Sequence, residues 1–192
     1  MSLLILGLLI FLGAHSVRIV AEGWRSATIA RMGEGPWKGL YSLLSLLGFA
    51  LIVWGYGLAR QQPVFLWHPP PWTRHLAALL TLPAFVLVAA AYVPGNSIKS
   101  RLKHPMLLGV KLWALAHLLA NGKLADLLLF GGFLLWAVFA FRSARRRDRE
   151  QQLGYPPGRM GPTLATAMVG AAGWVVFAFW AHGALIGVRP FG

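Results

Sequence analysis

The hydropathy pattern of this chain limits its fold more than any other feature. Six apolar stretches are nearly free of charged residues, at about residues 3–21, 40–59, 76–93, 106–120, 124–141 and 164–187. About 20 such residues are enough to cross the hydrocarbon of a bilayer as a helix. β-Barrel spans would instead be shorter and would alternate in polarity. The sequence therefore predicts an all-α fold, a polytopic transmembrane helical bundle of about six spans in one domain covering residues 1–192.

The composition supports this prediction and excludes other classes of protein. Hydrophobic residues make up 57% of the chain and charged residues only 12%, and the formal net charge is +13. The cations flank the apolar stretches, so we expect them to meet anionic lipids rather than nucleic acid. The chain contains no cysteine, which excludes disulfides, iron–sulfur clusters and thiolate ligation of haem.

The basic residues are unevenly divided between the two sides that six crossings would create. Counting along the chain places 13 of the 18 cations on one side and 4 on the other, with Lys111 inside a span. Cation-rich connections face the cytoplasm. We therefore expect both termini in the periplasm of a bacterium, a multi-pass protein of the inner (plasma) membrane, and anionic lipids as partners on the cytoplasmic face. No basic residue precedes the first apolar stretch, so we interpret it as a retained span.

Two connections between apolar stretches carry distinct signals. Asn121-Gly122-Lys123 predicts a tight helix–helix turn, because Asn-Gly is a common helix stop. Asp126, just after it, is interpreted as a residue that starts the next helix. The segment 142–161 is the longest polar connection and contains the run Ser143-Ala-Arg-Arg-Arg-Asp-Arg-Glu. We interpret it as a solvated loop near anionic headgroups.

Ionisable groups at membrane depth are costly and therefore indicate functional sites. In the first stretch, Arg18 and Glu22 follow His15 at i+3 and i+7, which would place the three on one helical face. In the fourth, His104 and Lys111 share a face, and His117 points about 140° away from His104 at about 100° per residue.

Histidines on different spans favour ligation of haem, because neutral imidazole binds haem iron and paired helices can hold a haem between them. The sixth stretch adds His182 as a further candidate. A lone histidine can equally serve packing through a hydrogen bond between helices. Arg18 and Lys111 are candidates for binding haem propionates or lipid headgroups, or for reaching the cytoplasmic interface.

Three segments of the chain resemble the NnrU family of bacterial membrane proteins. These segments are Lys103-His104-Pro105 through Asn121-Gly122, the opening Leu12-Gly-Ala-His15-Ser16-Val-Arg18, and the closing Trp180-Ala-His182 through Pro190. The resemblance covers nearly the whole chain and is most specific from His104 to Gly122. It implies an association with denitrification and nitric oxide metabolism.

The family is similar to 15-cis-ζ-carotene isomerase, a haem b membrane enzyme of plants and cyanobacteria. That similarity implies axial ligands at His15 and His117. The isomerase has a cysteine where this chain has Ala114, so a switch to thiolate ligation is excluded here. The implied activity is a haem-dependent isomerase or redox reaction on a small apolar or nitrogen-oxide substrate.

The depths of the histidines leave other pairs open. By helical rise, His117 lies about 18 Å from the cytoplasmic start of its helix, and His15 lies about 10 Å inside the same side. His15 with His104, or His117 with His182, would be level-matched alternatives.

Two further functions remain open. The pattern His104-Pro105-x-x-x-Gly109 resembles isoprenylcysteine carboxyl methyltransferase and related membrane enzymes that bind S-adenosylmethionine. Here Lys103 replaces their arginine, and Asp148-Arg149-Glu150 replaces their paired glutamates. The scarcity of candidate catalytic acids and bases also fits a non-enzymatic accessory or transport protein.

Overall fold

In a computed structural model of the chain, which describes residues 1–191, most residues lie in helices. The helices are α1 (Ser2–Val20), α2 (Glu22–Met32), α3 (Glu34–Ala59), α4 (Thr73–Tyr92), α5 (Ser97–Leu102), α6 (Pro105–Ala120), α7 (Leu124–Glu150) and α8 (Met160–Val176), which continues through a π-helical segment (Phe177–Ala181) into α9 (His182–Ile186). Extended pairing within the described residues is limited to two isolated bridges. The predicted all-α fold is confirmed.

Five helical segments are long and apolar enough to cross a membrane: α1, α3, α4, α7 and the continuous segment from Met160 to Ile186. The chain is thus a multi-pass membrane protein. The remaining apolar helix, α6, has 16 residues and is about 24 Å long at the helical rise of about 1.5 Å per residue. The hydrocarbon core is about 30 Å thick. The predicted count of six crossings therefore depends on α6 and stays a prediction.

The long helices pack in the order α3, α1, α7, α6, α4 and α8, so α7 joins the two halves of the bundle. Large apolar side chains on the outside remain exposed, such as Leu43 at 65% and Met168 at 71%. A soluble protein would bury such residues, whereas a bilayer solvates them. The interior is correspondingly thin and rich in alanine, including Ala114 and Ala137 at 0% exposure.

Glycines bring α1 and α3 into backbone contact. A Cβ on Gly48 would lie 2.7 Å from the backbone nitrogen of Phe11, and one on Gly7 would lie 2.6 Å from the nitrogen of Ile52. A Cβ on Gly55 would overlap the backbone of α1. In lipid, where apolar burial adds little between helices, small residues allow the close approach that drives association.

The loop between α3 and α4 packs on the turn between α6 and α7. The backbone N–H of Leu66 donates to the carbonyl of Gly122 at 2.8 Å, and the N–H of Leu124 donates to the carbonyl of Val64 at 2.8 Å. The predicted tight turn at 121–123 is confirmed, since α6 ends at Ala120 and α7 begins at Leu124.

Asp126 starts α7, as predicted, and also binds a neighbouring helix. It is 2% exposed. It accepts the backbone N–H of Lys123 at 3.2 Å and the Tyr56 hydroxyl at 2.5 Å. These two bonds satisfy a buried carboxylate and fix α3 to the start of α7.

The interpretation of residues 142–161 as a loop is wrong for its first half, because α7 continues to Glu150. Arginine and glutamate are good helix formers. Ion pairs along the helix, Arg146 with Glu150 at 3.5 Å and Arg145 with Asp148 at 3.8 Å, support it further.

The helical face predicted to carry His15, Arg18 and Glu22 is also interrupted. The helix breaks at Ala21, whose φ is −139° and ψ 44°, so Glu22 begins α2 instead of extending α1. Arg18 and Glu22 still form an ion pair at 3.5 Å across this corner.

We predict that Gly48→Val separates α1 from α3, because the added Cβ and methyl groups meet the Phe11 backbone. Overpacking of this kind costs about 1–3 kcal/mol, which thermal unfolding in detergent should report as a lowered Tm. The matched control is Gly57→Val in the same helix, where a Cβ meets nothing within 4 Å. An equal loss of Tm in both variants would show that the contact with α1 is not the cause.

We also predict that the cation-rich connections between helices lie on the cytoplasmic side of the membrane. Because the chain has no cysteine, single-cysteine variants can be labelled in intact cells with a membrane-impermeant maleimide. His68→Cys should react in intact cells, and Gln151→Cys only after the membrane is permeabilised. The reverse pattern would contradict the predicted periplasmic termini.

Candidate functional site

His15 lies among aromatic rings between α1, α3 and α7. Its ring stacks on Phe11 at a centroid distance of 4.1 Å, lies 5.1 Å from Tyr41 and meets Trp136 edge-on at 6.0 Å. Its Nδ1 lies 2.7 Å from the carbonyl oxygen of Phe11, one turn earlier in α1. These contacts set the orientation of the imidazole.

His117 has the same arrangement on α6. Its Nδ1 lies 2.8 Å from the carbonyl oxygen of Trp113, one turn earlier. Its ring stacks on Phe130 of α7 at 4.5 Å, and the side-chain amide of Asn121 donates to its backbone carbonyl at 2.8 Å. The end of α6 therefore holds this ring against α7.

His182 follows directly on the π-helical segment Phe177–Ala181. Its Nδ1 lies 2.6 Å from the carbonyl oxygen of Val188, and its ring meets Phe177 edge-on at 5.7 Å. π-Helical turns are rare in proteins, and those that occur are frequently found at functional sites.

The three histidines share one hydrogen-bond arrangement. A backbone carbonyl only accepts hydrogen bonds, so Nδ1 is the donor, and in a neutral ring the lone pair then lies on Nε2. Nε2 of His15, His117 and His182 has no hydrogen-bond partner within residues 1–191. These nitrogens are not among the buried side-chain atoms that lack a hydrogen-bond partner in that part of the chain, which are Glu22 Oε2 and Trp136 Nε1. The histidine nitrogens are therefore open to a ligand.

Aromatic rings fill the space between His15 and His117. Phe11, beside His15, contacts Phe133 at 5.7 Å, and Phe133 contacts Trp113, beside His117, also at 5.7 Å. These aromatic rings thus connect the two histidines.

The offset between the two histidines can be read along α7. His15 is next to Trp136 and His117 next to Phe130, six residues or about 9 Å apart at the helical rise. The structure therefore places the two rings at different depths. This offset agrees with the depths estimated from the sequence.

His104 differs from the other candidates because its Nε2 is engaged. Nε2 lies 2.9 Å from Oδ2 of Asp148, a carboxylate that is 5% exposed. The same carboxylate accepts the Tyr155 hydroxyl at 3.2 Å, and the Arg145 guanidinium lies 3.8 Å away. This arrangement joins the start of α6 to the end of α7.

Burial and the Asp148 carboxylate raise the pKa of the Tyr155 phenol above its ordinary value. The phenol therefore stays protonated at neutral pH and donates to the carboxylate. With Nε2 of His104 as a second donor, Asp148 is a satisfied buried anion.

The two predicted cationic partners lie apart from His117. Arg18 is half exposed and paired with Glu22 at the α1–α2 corner. The ammonium of Lys111 lies 4.0 Å from the centre of the Phe141 ring, which the ring of His104 also meets edge-on. His104 and Lys111 thus share a face, as their spacing predicted.

Sequence reasoning did not identify three residues of these clusters: Asp148 as the partner of His104, Tyr155, and Trp136 beside His15. A lone aspartate within a run of arginines was the available signal for Asp148. The sequence contains no such signal for Tyr155 or Trp136, because their roles depend on which helices are neighbours.

The described residues contain no group of three or more His, Cys, Asp or Glu side chains that could hold a metal ion. Zinc sites generally use three or four such ligands. A haem needs only one or two axial ligands from the protein, so histidines with an open Nε2 fit haem better than zinc.

Comparison with known proteins identifies one family. The family model described as "NnrU protein" matches residues 3–190. No curated protein and no solved structure matches the chain.

Proposed function

The chain belongs to the NnrU family, and from this premise we propose that it binds haem b in the membrane through its intramembrane histidines. The observation that carries the proposal is the shared hydrogen bond of His15, His117 and His182. In each, a backbone carbonyl fixes Nδ1 and leaves Nε2 without a partner. Ligating histidines usually have their second ring nitrogen held in this way.

His117 is the central candidate ligand. It lies within an apolar helix and stacks on Phe130, so the ring is oriented and shielded from water. The family resemblance favours His15 as its partner, and His182, whose Nδ1 is held by a backbone carbonyl in the same way, is the alternative partner. Arg18 and Lys111 remain candidates for the propionates, at the arginine-rich end of the bundle.

A haem held by neutral imidazoles would supply electron transfer, or binding of a small ligand where one axial position is open. The apolar surroundings suit an apolar or nitrogen-oxide substrate. We place this activity in denitrification or nitric oxide metabolism and in the bacterial inner membrane, with a haem-dependent isomerase or oxidoreductase as the enzyme class.

The test is an absorption spectrum of protein purified in detergent after expression with added haem. We expect a Soret band in the unaltered protein and its loss in His117→Gly, with recovery on adding imidazole because the free ring refills the site. Loss in His15→Ala or in His182→Ala identifies the second ligand.

The control is His68→Ala, which removes an exposed loop histidine and should keep the full band. A second comparison is His104→Ala, which should also keep it because Nε2 of His104 already binds Asp148. Absence of a Soret band from the unaltered protein, or its retention in all three variants at His15, His117 and His182, would overturn the proposal.

A second candidate function, methyl transfer from S-adenosylmethionine, is favoured by one contact. The hydrogen bond from His104 to Asp148 joins the His104-Pro105 pattern to the acidic pair that resembles the methyltransferases. The segments lie 44 residues apart in the chain, so tertiary packing creates this association.

Calorimetric titration with S-adenosylmethionine tests this candidate. If it is right, the protein binds the cofactor, and Asp148→Asn weakens binding by about tenfold or more, since a charge-assisted hydrogen bond contributes about 1.5–3 kcal/mol. Glu34→Gln, which removes an exposed glutamate paired with Lys38 outside both segments, is the control. Lack of binding at high micromolar cofactor would exclude methyl transfer.

A further inference from the structure

The helical continuation of α7 arranges four arginines on one face. Arg142, Arg145, Arg146 and Arg149 are spaced by three, one and three residues, so their side chains fall within about 100° around the helix and about 10 Å along it. Like charges at this spacing repel one another and destabilise a helix. A bound anion would remove this cost.

A cleft of about 610 Å³ lies along this face. Its lining includes the four arginines, together with Ile19 of α1 and Phe139 of α7. We call it the arginine cleft. No carboxylate is among its lining residues within the described chain.

The protein supplies few counterions to the arginine cleft. Arg146 pairs with Glu150 at 3.5 Å, and Arg145 lies 3.8 Å from Asp148. The latter carboxylate already accepts hydrogen bonds from His104 and Tyr155. Within residues 1–191 neither Arg142 nor Arg149 has an ion-pair partner, so their charge is available to a ligand.

The cleft is built between two helices that are joined at this end. Arg147 donates to Ser143 Oγ at 2.7 Å and to the backbone carbonyl of Arg18 at 3.4 Å, which links α7 to the last turn of α1. The arginines thus project from a regular helix held against a second one, and not from a loose loop.

The arginine cleft also has an apolar lining, which comes from Ile19 of α1 and Phe139 of α7. Phe139 is 50% exposed and lies just before the first arginine, where the apolar part of α7 ends. A soluble anion would leave this surface unused, whereas a lipid would cover it with its acyl chains while its phosphate met the arginines. Guanidinium groups bind phosphate oxygens in bidentate geometry.

We propose that the arginine cleft is a specific site for the phosphate headgroup of an anionic phospholipid in the leaflet at the arginine-rich end of the bundle. The general excess of cations predicts only diffuse attraction to that leaflet. The cleft adds four cations on one face, two of them without ion pairs, and an adjoining apolar lining. Basic pockets between transmembrane helices are a known setting for such headgroups.

Native mass spectrometry in neutral detergent tests the proposal with phosphatidylglycerol and phosphatidylcholine of the same acyl chains. We expect the first phosphatidylglycerol to bind more tightly than phosphatidylcholine. Arg142→Gln combined with Arg149→Gln should weaken the first binding of phosphatidylglycerol by about tenfold or more, since each basic residue near an anionic surface contributes about 1 kcal/mol. Binding of phosphatidylcholine, whose choline cation offsets the charge of its phosphate, should weaken less.

The matched control is Arg31→Gln combined with Arg101→Gln, which removes the same charge at exposed positions outside the cleft. Equal weakening in both double variants would show bulk charge and overturn the proposal, as would equal binding of the two lipids. A competition arm uses inorganic phosphate. Displacement of phosphatidylglycerol by phosphate at comparable concentration would assign the cleft to a soluble phosphate compound and overturn the lipid assignment. These outcomes do not depend on whether haem is bound.

Discussion

Hydrocarbon offers no water to the backbone, and most of this structure follows from that constraint. Each apolar stretch has to satisfy its own amide groups, which makes it a helix. Helices surrounded by lipid gain little from burying leucine, since the lipid is equally apolar. The bundle accordingly exposes its large side chains and uses glycine and alanine between helices, as in the contact of Gly48 with the Phe11 backbone. Its interior is narrow, and few polar groups fit within it.

The polar groups that do lie inside are satisfied in two different ways. His15 and His117 each donate from Nδ1 to a carbonyl of their own helix, so the other ring nitrogen, Nε2, has no hydrogen-bond partner within the described residues. Asp126 and Asp148 are buried carboxylates, and each accepts hydrogen bonds from a neighbouring helix or loop. The carboxylates therefore hold the two ends of α7 in place. The histidines, by contrast, retain a free coordinating atom, which is the basis for proposing a cofactor.

α7 connects these features because it packs against both α1 and α6. Along one helix, Phe130 stacks on His117, Trp136 lies beside His15, Asp148 binds His104, and the arginine cleft occupies the far end. His15 and His117 of the proposed cofactor site thus contact the same helix that carries the proposed lipid site. The lipid site lies beyond the apolar stretch, where the sequence pattern indicated only a loop.

The sequence by itself determined the helical class, the approximate position of each apolar helix, the turn at 121–123 and the short list of intramembrane histidines. Those properties are local, because hydropathy and backbone hydrogen bonding in lipid act on each segment separately. Only the tertiary structure decided that His104 pairs with Asp148 and that the rings of His15 and His117 lie against Trp136 and Phe130 of α7. It also decided that glycines join α1 to α3 and that Arg142, Arg145, Arg146 and Arg149 line a cleft against α1. These depend on which helices are neighbours and in what register, and hydropathy carries no information about either.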